Sequence, residues 1–337
     1  MKKREEAGLS RAFRADPISR RDFVTSLGAF FTAQLILPPI LHGAGLPKGL
    51  TPLRLGFLTD CHAMAELDAP AWLDRTAALM NSLEPDLIIG GGDFVNGGFY
   101  SPGGVMEQRW SIADGFLKKL RTRLEPVIGN HDFFEPLLPD GSPSRIDPRW
   151  RFRKQFGLES TYRSFEFKGY RFLILDSVKV VGGASPYRGW ISANQLLWLD
   201  RELKKIPSNQ PIILCSHIPF RTSLADHLGP IEGPSPGRAR VLNSKAVMEK
   251  LRGRPLVAIL QGHVHLDERL MLDDVPCITG GAVCGKWWQG PNNGTFPGLG
   301  LIEILPGTSS PSGQKPPVAS VGWDYRNTPA SSAHGNA

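Results

Sequence analysis

Five short runs, Leu53–Leu58, Asp86–Ile89, Pro126–Ile128, Ile212–Cys215 and Leu256–Leu260, lead within three residues into blocks that could bind a cation. The blocks are Thr59-Asp60-Cys61-His62, Gly92-Asp93, Gly129-Asn130-His131-Asp132, Ser216-His217 and Gly262-His263-Val264-His265. Apolar runs of this length bounded by turn residues read as buried strands. The carboxyl ends of strands are where α/β folds bind ligands. Five of the eight histidines fall at these ends, which turns a secondary-structure pattern into a site prediction.

Between the strands, amphipathic periodicity predicts helices over Pro70–Leu83, Val105–Leu120, Ser192–Lys205 and Asn243–Arg252. Ser192 and Gln195 form a capping box ahead of Leu196, Leu197, Leu199 and Leu203. Arg163–Phe167 and Tyr170–Leu175, joined at Lys168-Gly169, predict an antiparallel hairpin, and Glu268–Leu272 and Gly300–Leu305 add further strands. Strand–helix alternation with antiparallel pieces predicts an α/β fold built on a central β-sandwich flanked by helices. With 337 residues, 41% of them hydrophobic, the chain can bury a sizeable core. No internal repeat is present.

In extended backbone, residues i and i+2 share a side. Asp60 with His62, and His263 with His265, can then converge while Cys61 and Val264 turn away. Glycines before Asp93, Asn130 and His263 allow a sharp turn near an ion. Mixed carboxylate, imidazole and amide ligands suit Zn, Mn or Fe better than Ca or Mg.

The ordered series Asp-x-His, Gly-Asp, Gly-Asn-His-Asp, His and Gly-His-x-His resembles the calcineurin-like metallophosphoesterases over roughly Leu53 to Leu305. The resemblance implies a four-layer α-β-β-α sandwich, two mixed sheets flanked by helices. It implies one metal held by Asp60, His62, Asp93 and His265, and a second by Asp93, Asn130, His217 and His263, with Asp93 bridging. A dinuclear hydrolase of phosphate esters follows, with a metal-bridging hydroxide as nucleophile, because two cations can share and deprotonate a water and polarise the phosphoryl oxygens. His131 is placed to stabilise or protonate the leaving oxygen, and Asp132 to orient that imidazole.

Asn96 stands where purple acid phosphatases carry a tyrosine, and Ile128 precedes the Gly-Asn-His block where the Ser/Thr protein phosphatases carry arginine. With the resemblance ending near Leu305, the C-terminal domain of 5′-nucleotidases is not expected. Asp-x-His followed by Gly-Asp-x-x-Asn is similar to the phosphodiesterase branch. A phosphomonoesterase and a non-catalytic metal-binding scaffold are the alternatives. Trp287, Trp288 and Asn96 are the candidate substrate contacts, the tryptophans as an aromatic wall or as core packing. Lys286, Arg221 and the Gly182-Gly183 loop are further candidates near the mouth, and Asp176 reads as structural.

The formal charge is +7, and residues 1–44 hold seven Lys/Arg against four acids. The mild remaining balance suits a small anionic substrate, which the resemblance makes a small phosphate ester, and stable nucleic-acid binding is not expected. Arg20-Arg21 ahead of the apolar stretch Phe23–Leu41 resembles a twin-arginine export signal. Residues 1–44 are thus expected to engage the twin-arginine machinery. That places the protein in the periplasm, or on the outer face of the cytoplasmic membrane if an uncleaved signal anchors it. The phosphoesterase domain is assigned to 50–306. A Pro/Ser/Gly-rich tail is assigned to 307–337, with Gly307–Pro316 and the last ten residues expected to be mobile. Cys61, Cys215, Cys277 and Cys284 fit no zinc ribbon; an oxidising compartment permits a Cys277–Cys284 or Cys61–Cys215 bridge, with buried free thiols as the alternative.

Overall fold

A computed structural model describes residues 50–224, 236–307 and 319–330. The proposed export segment and most of the expected mobile tail lie outside these residues. Two mixed sheets carry the fold. The first has the order β13-β12-β1-β2-β3, built from β1 (Leu53–Leu58), β2 (Leu87–Gly90), β3 (Leu124–Pro126), β12 (Gly298–Leu305) and β13 (Ser320–Asn327). The second has the order β10-β11-β9-β8-β5-β4, built from β4 (Arg163–Phe167), β5 (Tyr170–Leu175), β8 (Ile212–Ser216), β9 (Leu256–Gln261), β10 (Glu268–Leu272) and β11 (Val275–Thr279). A small ribbon pairs β6 (Val178–Val180) with β7 (Tyr187–Gly189).

Alternation along the strands builds the interior. Leu53, Leu55 and Phe57 of β1 and Ile302 and Ile304 of β12 pack with Tyr170, Phe172 and Ile174 of β5 and with Leu260 of β9. The intervening residues face helices: Leu58, Leu173 and Leu175 belong to a second cluster containing Leu73 and Met80 of α1 (Ala69–Ser82) and Trp110 of α2 (Gly103–Leu117). The same cluster takes in Phe152 of α3 (Trp150–Phe156), Leu199 of α4 (Ala193–Leu203) and, after the short α5 (Pro236–Ala239), Val247 of α6 (Ser244–Leu251). The expected two-sheet α/β sandwich with helices is therefore present.

The hairpin β4–β5 matches its expected bounds. Lys168 and Gly169 both take positive φ (48° and 82°), as a two-residue turn compatible with strand twist requires. The capping box is only half formed. Ser192 Oγ accepts the N–H of Gln195 at 3.3 Å, but the Gln195 side chain turns away to bond the backbone N–H and carbonyl of Asp176 at 2.9 and 2.8 Å. The otherwise unpaired N–H and carbonyl at this buried strand end outcompete the helix terminus for that amide.

The tail assignment needs correction over Ser320–Asn327. This segment pairs with β12 along eight positions and places Val321 in the core, its Trp323 ring lying against Phe57 at 6.2 Å. Alternating Val321, Trp323 and Tyr325 is a strand pattern masked by the Pro- and Ser-rich stretch before it. All four cysteines are buried free thiols, so neither proposed bridge is formed. No helix among the described residues is long and apolar enough to cross a membrane.

Candidate metal centre

The strands β1, β2 and β3 run parallel, as do β5, β8 and β9, so the polar blocks emerge at corresponding ends of the two sheets. Nε2 of His62 lies 3.7 Å from Asp60 Oδ1, 3.6 Å from Asp93 Oδ2 and 3.2 Å from His265 Nε2. His265 Nε2 in turn lies 3.2 Å from Asp60 Oδ1. Asp93 Oδ2 also stands 3.2 Å from His217 Nε2, in a group that includes His263. Asp60, His62, Asp93, Asn130, His217 and His265 are almost fully buried.

The backbone reaches this arrangement by a route that the spacing did not suggest. Asp60, His62, Asp93, His263 and His265 all have positive φ, between 41° and 74°. The Asp-x-His and His-x-His pairs therefore converge from left-handed turns beyond the strand ends, correcting the extended i, i+2 picture. Such conformations cost a non-glycine residue on the order of 1 kcal/mol or more each and persist where the surroundings dictate them. Gly92 takes φ +104° in the turn before Asp93. Gly129 is needed for closeness, because a Cβ there would stand 2.1 Å from Asp93 Oδ1.

Hydrogen bonds to backbone carbonyls set which ring nitrogen carries a proton. His217 Nδ1 donates to Gly91 at 2.8 Å, His265 Nδ1 to Gly285 at 2.6 Å and His263 Nε2 to Arg238 at 2.9 Å. In the neutral rings, His217 Nε2, His265 Nε2 and His263 Nδ1 are then lone pairs. Two of these lone pairs face carboxylate oxygens. Asp60 Oδ1, Asn130 Oδ1 and His217 Nε2 are accordingly buried with no hydrogen-bond partner. Facing lone pairs are repulsive unless a cation or a proton lies between them. Burial lowers the His217 pKa, yet the carboxylate of Asp93 outweighs it and pushes the ring up to about 9. His263 is drawn down to about 4 by burial and by His217. The donor set fits two metal ions, one among Asp60, His62, Asp93 and His265 and one among Asp93, Asn130, His217 and His263. A divalent ion would displace the shared proton.

His131 and Asp132 part company. The N–H of Gly97 donates to His131 Nδ1 at 3.2 Å. The expectation that Asp132 orients this ring is corrected. Its Oδ2 accepts the N–H groups of Asp93 and Gly129, both at 2.9 Å, and its Oδ1 those of Phe94 at 2.7 Å and Val95 at 3.3 Å. Four donors use all four lone-pair positions of the carboxylate. Asp132 holds the loop that carries Asp93 instead.

The two tryptophans also differ. Trp288 is buried and its Nε1–H donates to the carbonyl of His62 at 3.0 Å, so it braces a candidate ligand. Trp287 is 41% exposed and lies against His265, ring centroids 4.7 Å apart, on the wall of a cavity of about 580 Å³ over the centre. Asn96 does not line this cavity; its amide contacts Met64 Sδ at 3.5 Å. Lys286, Arg221 and the Gly182-Gly183 loop do not line it either. Asp176 is structural, as expected: Thr161 Oγ1 donates to it at 2.8 Å, the Val178 N–H at 3.0 Å, and Arg149 forms an ion pair with it. The cavity wall adds Tyr187 and Arg238, which sequence reasoning missed. Neither sits in a motif, and both reach the site through tertiary packing.

The model of the calcineurin-like phosphoesterase family matches residues 53–267, more than half of the chain. A 3′,5′-cyclic-nucleotide phosphodiesterase of Nostoc sp. is 23% identical over 270 residues, covering 75% of this chain and 88% of that protein. A cAMP/cGMP dual specificity phosphodiesterase of Mycobacterium tuberculosis is 28% identical over 207 residues, which is 60% of this chain and 56% of that protein. Among solved structures, a dimetal phosphatase from Danio rerio superposes with a TM-score of 0.52 at 15% identity, covering 75% of this chain and 94% of that one. That last likeness is one of fold.

Proposed function

The chain belongs to the calcineurin-like phosphoesterase family and is a metal-dependent hydrolase of phosphoric esters, and from that premise we propose that it cleaves phosphodiesters at a dinuclear centre. The observation that carries this reading is Asp93 Oδ2, which stands within 3.6 Å of His62 Nε2 and 3.2 Å of His217 Nε2 and so belongs to both ligand groups. Two bound cations would supply the activated water and the Lewis acidity for in-line displacement.

The residues of the chain supply the rest. Asp60, His62 and His265 with Asp93 would hold one ion, and Asn130, His217 and His263 with Asp93 the other. Gly97 occupies His131 Nδ1 with a donor, so the proton of the neutral ring stands on Nε2. From there it can be given to a departing oxygen. Burial keeps that ring neutral by drawing its pKa down to about 3. Asp132 and Trp288 keep the ligand loops in place.

Two considerations favour diesters. Both curated relatives named above are phosphodiesterases. The cavity also offers a single arginine among its described lining residues, whereas a dianionic monoester calls for more cations around the metals. Protein reconstituted with Mn, Zn or Fe should turn over bis(4-nitrophenyl) phosphate with higher kcat/KM than 4-nitrophenyl phosphate. The reverse order, or no turnover of either, overturns the reading.

We further propose that Arg20-Arg21 direct export. Replacing both by lysine should retain active enzyme inside the cell, and unchanged export would remove the proposal.

A further inference from the structure

The cavity over the metal centre has two unlike walls. Beside His265 and His62 stands Trp287, with ring centroids 4.7 and 6.1 Å from theirs. Beside His263 stand Tyr187 and Arg238. The Tyr187 ring lies 6.1 Å from that of His263, and the Arg238 guanidinium carbon lies 5.9 Å from the Tyr187 centroid.

The arginine stands at the end of a stack of rings. Tyr187 stacks on Phe99 at 5.2 Å and Phe99 on Phe133 at 5.7 Å. Arg149 caps the far end of the column, 4.6 Å from the Phe133 ring, and is itself tied to Asp176. Arg238 is thus the near end of a column anchored in the fold, and its backbone carbonyl accepts the His263 ring N–H. It is half-buried, it is the one permanent cation among the described residues lining the cavity, and no carboxylate among the described residues pairs with it. A guanidinium in this state offers a fork of donors to an incoming anion.

We infer that Arg238 is a specificity-determining residue that binds an anionic substituent of the substrate beyond the ester being cleaved. The preferred substrates are then phosphodiesters in which one arm carries a second negative charge. This rests on the phosphodiester reading. The charge of the scissile group is already met by the metal ligands' ions, and about 580 Å³ leaves room for a second polar group.

The test uses three 4-nitrophenyl phosphodiesters that share the scissile bond and leaving group and differ in the second arm: ethyl, choline or 2-carboxyethyl. With the metal-reconstituted full chain, the carboxyethyl ester should exceed the choline ester at least about tenfold in kcat/KM, mainly through KM, as expected for binding energy expressed equally in ground and transition states. Arg238→Ala should lower kcat/KM for the carboxyethyl ester by at least about tenfold more than for the ethyl ester, and Arg238→Glu should reverse the order of the charged arms. Both variants keep the backbone carbonyl that holds His263, so metal content should match the wild type. Three results overturn the inference: no charge preference in the wild type, equal loss on all three esters in Arg238→Ala, or loss of metal from that variant. Absence of turnover on every ester by the metal-loaded wild type overturns the phosphodiester reading itself, and this inference with it.

Discussion

The backbone N–H of Asp93 donates to the carboxylate of Asp132 at 2.9 Å, while in its side chain Oδ1 accepts the His131 N–H at 2.7 Å and Oδ2 faces both His62 and His217. One buried aspartate therefore holds the main chain of another, and so sets where the shared ligand points. Asp132→Asn should lose stability, because the amide would turn N–H groups toward backbone N–H groups. A loss of about 2–4 kcal/mol is expected from leaving charged-acceptor bonds unmade, with metal affinity reduced about 10–100-fold. Thermal unfolding and metal titration read both. A melting temperature within about 2 °C of wild type would contradict the anchoring role.

His131 presents a different expectation, since the resemblance leaves it out of both ligand sets although its ring stands within 4.8 Å of ligand atoms of His62 and Asp93. His131→Ala should keep its metal content and lower kcat by about 10²–10⁴-fold. Elemental analysis alongside steady-state kinetics separates the two effects. Loss of metal in this variant would make His131 a ligand rather than a proton donor.

Asp93→Asn should do the opposite and lose metal, because the carbonyl oxygen would stay with the His131 N–H that Oδ1 accepts, and an uncharged NH2 group would face His62 and His217. Chelation of the wild-type protein should likewise lower the melting temperature, since ligand binding stabilises a fold by about 2.7 kcal/mol at a hundredfold excess over Kd. Differential scanning calorimetry with and without chelator measures this. An unchanged transition would mean that no ion is bound at the seven-residue cluster.

The adjacent tryptophans should respond differently to substitution. Trp288→Phe removes the bond to the His62 carbonyl and should cost about 1–2 kcal/mol of stability, with weaker metal binding. Trp287→Ala should leave stability nearly unchanged and raise KM for diesters with aromatic arms by several-fold, as expected for a lost stacking contact of about 1 kcal/mol. Matching effects of the two changes on melting temperature would show that both rings are packing.

Much of this protein is already determined by local sequence. The strand bounds Leu53–Leu58 and the hairpin at Lys168-Gly169 follow from apolar runs and turn chemistry, and the seven candidate ligands follow from the polar blocks at strand ends. Residue type alone limits which side chains can bind a cation, and neighbours along the chain decide whether a segment is buried. What the tertiary structure decided is how those side chains are aimed. Asp60 accepts the backbone N–H of His263 from 203 positions away, and both residues sit in left-handed turns that no local pattern specifies. Asp132 lies beside His131 in sequence yet gives its carboxylate to the Asp93 loop, because buried N–H groups must find acceptors wherever packing leaves them. Trp288 turns inward and Trp287 outward for the same reason, and Arg238 meets at the cavity a column of rings drawn from distant segments. Hydrogen-bond satisfaction and close packing are properties of the whole folded chain, so these choices are made only when the two sheets and their loops come together.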